Sequence, residues 1–513
     1  MPATAPSPEP TRRGRRPRRG LRAVAAGTAV TVVLAASNLA HAGLVSDLLG
    51  TVDGVVTGTL SRLPLLDVRL GAEFSTLLGP GTTTLDDVSR AIGADRLRAR
   101  GITGVGVDVA VIDTGVAPVR GLDGPDAVVN GPDLSLDFQA GAPVGVDAYG
   151  HGTHLAGIVA NRQDGIAPGA RIVNLKVGAA DGAVDVSQVI AAIDWVVQHR
   201  RADGLNIRVL ELSYGTDSTQ PAAIDPLSHA VESAWRAGIV VVVSAGNSGR
   251  ALDMPADNPS VIAVGATDVG NPASALDDRV ADFSARATST DRRPDLLAPG
   301  VSIRSLRVPG SAVDTDHPGA ATGESWVRGS GTSQAAAVVA GGVALLLQAR
   351  PELTPDQVKA LLVGSADPLF LVDRRAQGAG RLDLLEASTK RAPAPSVRPP
   401  ATSGLGSLDR SRGSYRLVAT DGTTLRGEVD VQGMPWTPQV WAPSSAAGRA
   451  WTGGTWNGAD WSDVGWSTAA ELSGIEWTAR SWRARSWRAR SWRADRWAAA
   501  DWSARSWRGR SWR

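Results

Sequence analysis

Apolar residues along this chain follow two alternating rhythms. Short, largely β-branched runs at Val107–Ile112, Ile172–Val177, Ile207–Leu212, Ile239–Val243 and Val261–Val264 are separated by longer stretches with helical spacing. Strands this continuously apolar are buried on both faces, so the pattern predicts a doubly wound, mainly parallel α/β sheet with helices on both faces. The intervening helices are expected at about Val184–His199 and Asp225–Ala237, the second ended by Gly238. A short helix near Leu85 has Thr84 as a cap, Asp86 and Asp87 in its first turn and Gly93 as a stop. Ala335–Ala349 carries no charge. It is too short and too glycine-interrupted for a membrane span, which predicts a buried central helix. Beyond it, Thr354, Pro355 and Asp356 mark another helix start.

The flanks differ from this body. Residues 1–22 hold seven Arg and one Glu, Ala23 to Ser46 is uncharged, and Ala40-His41-Ala42 has the small residues a signal peptidase accepts. Residues 1–42 therefore read as a signal peptide, and the protein as secreted or associated with the cell envelope; an uncleaved anchor is the competing reading. Residues 43–85 follow as a possible propeptide, 86–390 as the α/β domain, 391–412 as a Pro/Ser/Arg-rich linker and 413–440 as a small strand-rich segment or linker. From 441 to 513 runs a low-complexity tail in which Trp451, Trp456, Trp461 and Trp466 recur every five residues, as do Trp477 to Trp512. A period of five draws no stripe along a helix and alternates faces in a strand. The tail is then either a solenoid-like ribbon or a disordered, adhesive extension.

Charge sharpens the division. The net +2 conceals +9 over residues 477–513 and −13 over 43–476. The tail, not the acidic body, is thus the expected contact for an anionic envelope polymer or a membrane surface, and nothing points to specific nucleic-acid recognition. Cysteine is absent, which excludes disulfides, thiolate metal sites and a cysteine nucleophile.

Four strings carry candidate chemistry. Val-Ile-Asp113-Thr-Gly ends the first apolar strand, where sites of parallel α/β sheets collect. Its carboxylate is placed to hold one ring nitrogen of His151, in Gly-His151-Gly-Thr-His154, and to leave the other as a base. Ser333, in Gly-Ser-Gly-Thr-Ser333-Gln-Ala-Ala, stands at a helix start where unpaired N–H groups gather; alone it could simply be a cap. Asn247, in Ser-Ala-Gly-Asn247-Ser-Gly, offers a neutral donor for an oxyanion. His151-x-x-His154 lacks the Glu of the zinc-peptidase helix string, so metal ligation is disfavoured.

Together the four strings resemble the subtilisin-like serine peptidases, or subtilases, over roughly residues 86–388. The resemblance implies a serine endopeptidase acting through an acyl-enzyme, with Asp113 as orienter, His151 as general base, Ser333 as nucleophile, and Asn247 with the Ser333 N–H as the oxyanion hole. It also implies that Ser213, Tyr214 and Gly215 pair with the substrate backbone, and that Ser244, Ala245 and Gly246 wall the pocket for the residue before the cut. Protein or peptide substrates follow; no cofactor is required for the chemistry, and structural calcium is left open. Glu211, Gln334 and Ala337 depart from the family's usual Asn, Met and Pro. Two other readings are an aspartic peptidase built on Asp113-Thr-Gly, which lacks a second such string, and an inactive subtilase scaffold acting through its tail.

Overall fold

The computed structural model describes residues 82–461 apart from 140–141, 271, 273–275, 288–291, 396–399 and 419–422, together with the backbone of Trp502–Ser503. The expected signal peptide, most of the possible propeptide and nearly all of the Arg-rich tail lie outside the described residues. The main sheet is built from β1 (Asp108–Asp113), β2 (Val128–Asp133), β3 (Arg171–Lys176), β4 (Ile207–Leu212), β5 (Val240–Ser244), β6 (Ile262–Asp268), β7 (Arg279–Val280) and β8 (Leu296–Pro299). Its order is β2-β3-β1-β4-β5-β6-β7, with β8 also pairing β6, and every pair except β6 with β7 is parallel. The five apolar runs therefore become neighbouring strands at their expected positions, and β1, β4 and β5 are buried almost throughout.

The described helices of eight residues or more are α1 (Leu85–Ile92), α2 (His151–Ala160), α3 (Val186–His199), α4 (Pro226–Arg236), α5 (Thr332–Ala349), α6 (Pro355–Ser365) and α7 (Pro438–Ala446). Helices α2 and α5 pack on one another and on the sheet, and α3 and α4 form a second pair against it. Helix α5 is the central one, its apolar residues from Ala335 to Leu347 buried beneath β4, β5, β6 and β8. Its burial inside the sheet's apolar core accounts for its uncharged sequence without a membrane. Strands β9 (Ile303–Leu306) and β10 (Trp326–Ser330) pair antiparallel, and β10 leads through Gly331 into α5.

Two boundaries differ from the sequence reading. Thr83 exchanges backbone hydrogen bonds with Ser302 and Arg304, Thr84 caps α1, and Leu85 is fully buried, so the body's packing includes residues 83–85. Residues 401–461 are the larger correction, because they do not behave as a linker followed by a separate tail. They form a strap laid across α3 and α4, and within it Arg412 is fully buried. Within the segment 413–440, expected as strand-rich or a linker, the described residues form isolated bridges, Val418 with Thr424 and Val429 with Pro435.

The five-residue tryptophan spacing also has a structural cause over its described part. Strands β11 (Trp451–Thr452), β12 (Thr455–Trp456) and β13 (Ala459–Asp460) form a meander in which Trp451 lies directly opposite Trp456. Directly opposed residues share a face. The connecting turns are Gly453-Gly454 and Asn457-Gly458, and both residues of the second have positive φ, +50° and +80°, as a tight primed hairpin turn requires. The turns reset the strand phase, so the alternation expected of one continuous strand does not apply, and Trp451, Trp456 and Trp461 are all buried.

Candidate active site

The chain from β1 feeds β2 and β3 on one side, whereas β4, β5 and β6 continue on the other. Such a reversal opens a crevice at the carboxyl ends of the strands. Asp113 closes β1 there, and His151 is the first residue of α2. The His151 Nδ1 lies 2.8 and 2.9 Å from the two Asp113 carboxylate oxygens, with both side chains buried. This contact selects the tautomer with its proton on Nδ1 and leaves Nε2 as the basic nitrogen.

Close packing brings the pair together. A Cβ at Gly152 would stand 2.2 Å from the Gly115 carbonyl oxygen, so only glycine lets the first turn of α2 seat against the turn after Asp113. Gly150, at φ +108°, takes a backbone conformation unsuited to other residues. Asp147 then anchors the helix start. Its carboxylate accepts from the N–H groups of Tyr149, Gly150 and Thr153 and from the hydroxyls of Thr114 and Thr153. The Thr114 hydroxyl also accepts from the Gly152 N–H, which ties α2 to the residue beside Asp113. Burial raises the Asp147 carboxyl above its ordinary range. From below, the Lys176 ammonium reaches the Thr114 carbonyl at 3.0 Å and pairs with Asp137 at 2.9 Å.

The second half of the site is joined through Thr332. Asn247 follows β5, and its side-chain carbonyl accepts from the Thr332 N–H at 2.8 Å and the Thr332 hydroxyl at 2.9 Å. It thereby satisfies one of the unpaired N–H groups at the start of α5. The same hydroxyl accepts from the Gly246 N–H at 3.2 Å. With its oxygen committed to Thr332, the Asn247 amide keeps its NH2 for another partner. Ser333 is the next residue, its side chain buried and its hydroxyl without a hydrogen bond among the described residues.

The remaining sequence candidates line the neighbouring chain exits. Ser213 is fully buried, and its hydroxyl donates to Glu211 and approaches the Ser333 carbonyl at 3.5 Å. Tyr214 and Ala245 are buried in the fold, Ser244 ends β5, and Gly215 is partly open. Any contact from 213–214 to a ligand therefore falls to the backbone. His154 is buried on α2 and lowered to a pKa of about 3, first by desolvation and then by His151, against the opposing effect of a backbone hydrogen bond to Leu306. The sequence reading missed Thr332, Asp147 and the Thr114 hydroxyl. Their faint signals are position alone: one residue before Ser333, four before His151 and one after Asp113.

The chain is similar to known proteins. The sequence profile of the Subtilase family matches residues 104–385. The serine protease AprX of Bacillus subtilis (strain 168) is 38% identical over 316 residues, covering 58% of this chain and 70% of that protein. Subtilisin DY of Bacillus licheniformis is 34% identical over 288 residues, covering 54% and 90%. A solved cold adapted subtilisin-like serine proteinase is 32% identical and covers 55% of this chain and 89% of its own, with a TM-score of 0.43.

Proposed function

Since this chain belongs to the subtilase family and is a serine peptidase, we propose that it is an exported endopeptidase using Asp113, His151 and Ser333 as its catalytic triad. The observation that carries the reading is the two-oxygen grip of Asp113 on His151 Nδ1, a geometry that serves to present the opposite nitrogen as a base. Ser333 Oγ attacks the scissile carbonyl while His151 Nε2 takes its proton. The imidazolium returns that proton to the departing amine, and an acyl-enzyme remains. Water, deprotonated by the same nitrogen, then releases the acid and restores the serine. The Asn247 NH2 and the Ser333 N–H are the donors for the tetrahedral oxyanion; the first is oriented by Thr332 and the second lies in the first turn of α5. Backbone of 213–215 and 244–246 flanks the extended substrate, whose own N–H and C=O groups pair with it. The basic N-terminus followed by an uncharged apolar stretch supports export.

Ser333→Ala is expected to lower casein hydrolysis on the order of 10⁶-fold, a magnitude taken from subtilisin itself. A fluorophosphonate should label the native protein at Ser333, as read by peptide mapping. Full hydrolysis by the Ala variant, or labelling elsewhere, would overturn the triad assignment.

A further inference from the structure

The reading of residues 213–215 and 244–246 as the walls of the substrate pocket leaves one group in that pocket unassigned. Asp253 sits between the two walls. A Cβ added at Gly215 would meet the Asp253 Cβ at 2.9 Å, and one added at Gly246 would meet its Oδ2 at 2.7 Å. Both glycines are therefore needed to admit this side chain. Backbone pairing holds it there: the Asp253 N–H donates to the Ala245 carbonyl at 3.3 Å, and Thr216 and Met254 exchange hydrogen bonds at 2.8 and 2.9 Å.

Among the described residues nothing uses the Asp253 carboxylate. Among the described residues it has no hydrogen bond and no cationic partner, and burial, with the like charge of Asp217, pushes its pKa up to about 7. Asp217 itself is committed to the N–H and hydroxyl of Ser414, each at 2.6 Å. The side chain is partly open, so a cation that a substrate brings can reach the carboxylate, and seating it there offsets the cost of removing the charge from water. Its place relates it to the chemistry, because Gly246 directly precedes Asn247, whose amide is bonded beside Ser333. A lysine or arginine side chain fits this setting, its apolar stem lying along backbone walls that carry little side-chain bulk and its charge at the far end.

We propose that Asp253 is a specificity-determining residue that selects lysine or arginine at the substrate position immediately before the cut. The assignment rests on the peptidase reading above and adds a substrate class to it. An acid at the base of the pocket for that residue is the physical means by which a serine peptidase chooses basic side chains. Removing one partner of a charge pair that the bound substrate itself buries costs about 30-fold or more in kcat/KM.

The test uses the full-length protein and peptide amides of one sequence that differ only before the scissile bond: lysine, arginine, norleucine or glutamine. Native enzyme should prefer the two basic substrates at least tenfold, and in Asp253→Asn the lysine-to-norleucine ratio of kcat/KM should fall by about 30-fold or more, with Ser333 still labelled by a fluorophosphonate. A labelled, active native enzyme indifferent to charge at this position would overturn the assignment of Asp253 alone, as would a preference that survives in Asp253→Asn. Absence of Ser333 labelling together with absence of hydrolysis on all four substrates would overturn the peptidase reading and this proposal with it.

Discussion

The sheet body and the strap of residues 401–461 bury their interiors by different means. In the body, β1, β4 and β5 are almost wholly apolar, and α5 seats Ala, Val and Leu against them, so that cohesion comes from continuous apolar surface removed from water. The strap attaches through tryptophans and buried polar contacts. Arg412 donates to both Asp185 oxygens, at 2.7 and 3.3 Å, and to the carbonyls of Gly427 and Val429. Asp194 on α3 accepts from Trp441 Nε1 at 2.8 Å, Trp456 Nε1 at 2.9 Å and the Ser445 hydroxyl at 2.5 Å. His229 on α4 reaches Thr402 at 3.2 Å and the Ala442 carbonyl at 3.1 Å. The difference teaches that α3 and α4 carry polar residues on a face that solvent does not see. Asp185, Asp194 and Glu232 belong to a docking surface and are buried beneath the strap.

The contrast can be broken most sharply at Arg412. Arg412→Ala leaves Asp185 buried without its cation, and a loss of about 3–5 kcal/mol is expected in denaturant unfolding, with early proteolytic release of the strap. A loss below about 1 kcal/mol, within the range of a solvent-exposed pair, would mean that the strap contributes little to the fold.

A smaller effect is expected within the body at the joint between Asn247 and α5. Thr332→Val keeps the shape but deletes the hydroxyl that donates to Asn247 and accepts from Gly246, and kcat should fall about 10- to 100-fold, as for about 1–3 kcal/mol of lost hydrogen bonding. Global stability should change less than in Arg412→Ala. An unaltered kcat would show that Asn247 does not depend on Thr332 for its orientation.

At any one pH near 5, the smallest effect concerns a buried acid that lacks the compensation given to Asp185. Glu211 on β4 is fully buried; burial, with the charge of Asp113, pushes its pKa well above the ordinary 4.5, and its carboxyl accepts from the Ser213 hydroxyl. The native protein thus holds a proton on Glu211 that the unfolded chain sheds above pH 4.5. Stability contributed by this group is complete below that pH and declines as pH rises, until Glu211 ionises in the folded state too, by at most about 1.4 kcal/mol per pH unit. Glu211→Gln removes the ionisation, so the variant should gain on the native protein as pH increases in paired unfolding curves. Parallel curves from pH 5 to pH 8, about the range where most proteins are most stable, would contradict the buried neutral carboxyl.

Legibility followed the same division. The parallel strands were readable because burial on both faces demands unbroken apolar runs, and the starts of α1 and α6 were readable because Thr84 and Thr354 cap them locally. Asp113 and His151 stood out because their strings place a carboxylate at a strand end and an imidazole among glycines. The strap was unreadable because its partners are remote: Arg412 is 227 residues from Asp185, and Trp456 is 262 from Asp194. No periodicity along the chain announces such contacts. The tryptophan spacing was plain, but its meaning depended on two hairpin turns that restart the strand phase after every few residues.

By itself, then, the sequence determined the alternation of strand and helix, the buried character of α5 and the strings that carry the proposed triad, since all of these follow from local spacing and side-chain chemistry. Tertiary structure alone decided that Thr332 orients Asn247, that Asp253 lies between two glycines, and that residues 401–461 cover α3 and α4. Each of these is a contact between segments far apart in the chain. Its energy exists only after the sheet has closed and excluded the water that would otherwise satisfy the same groups.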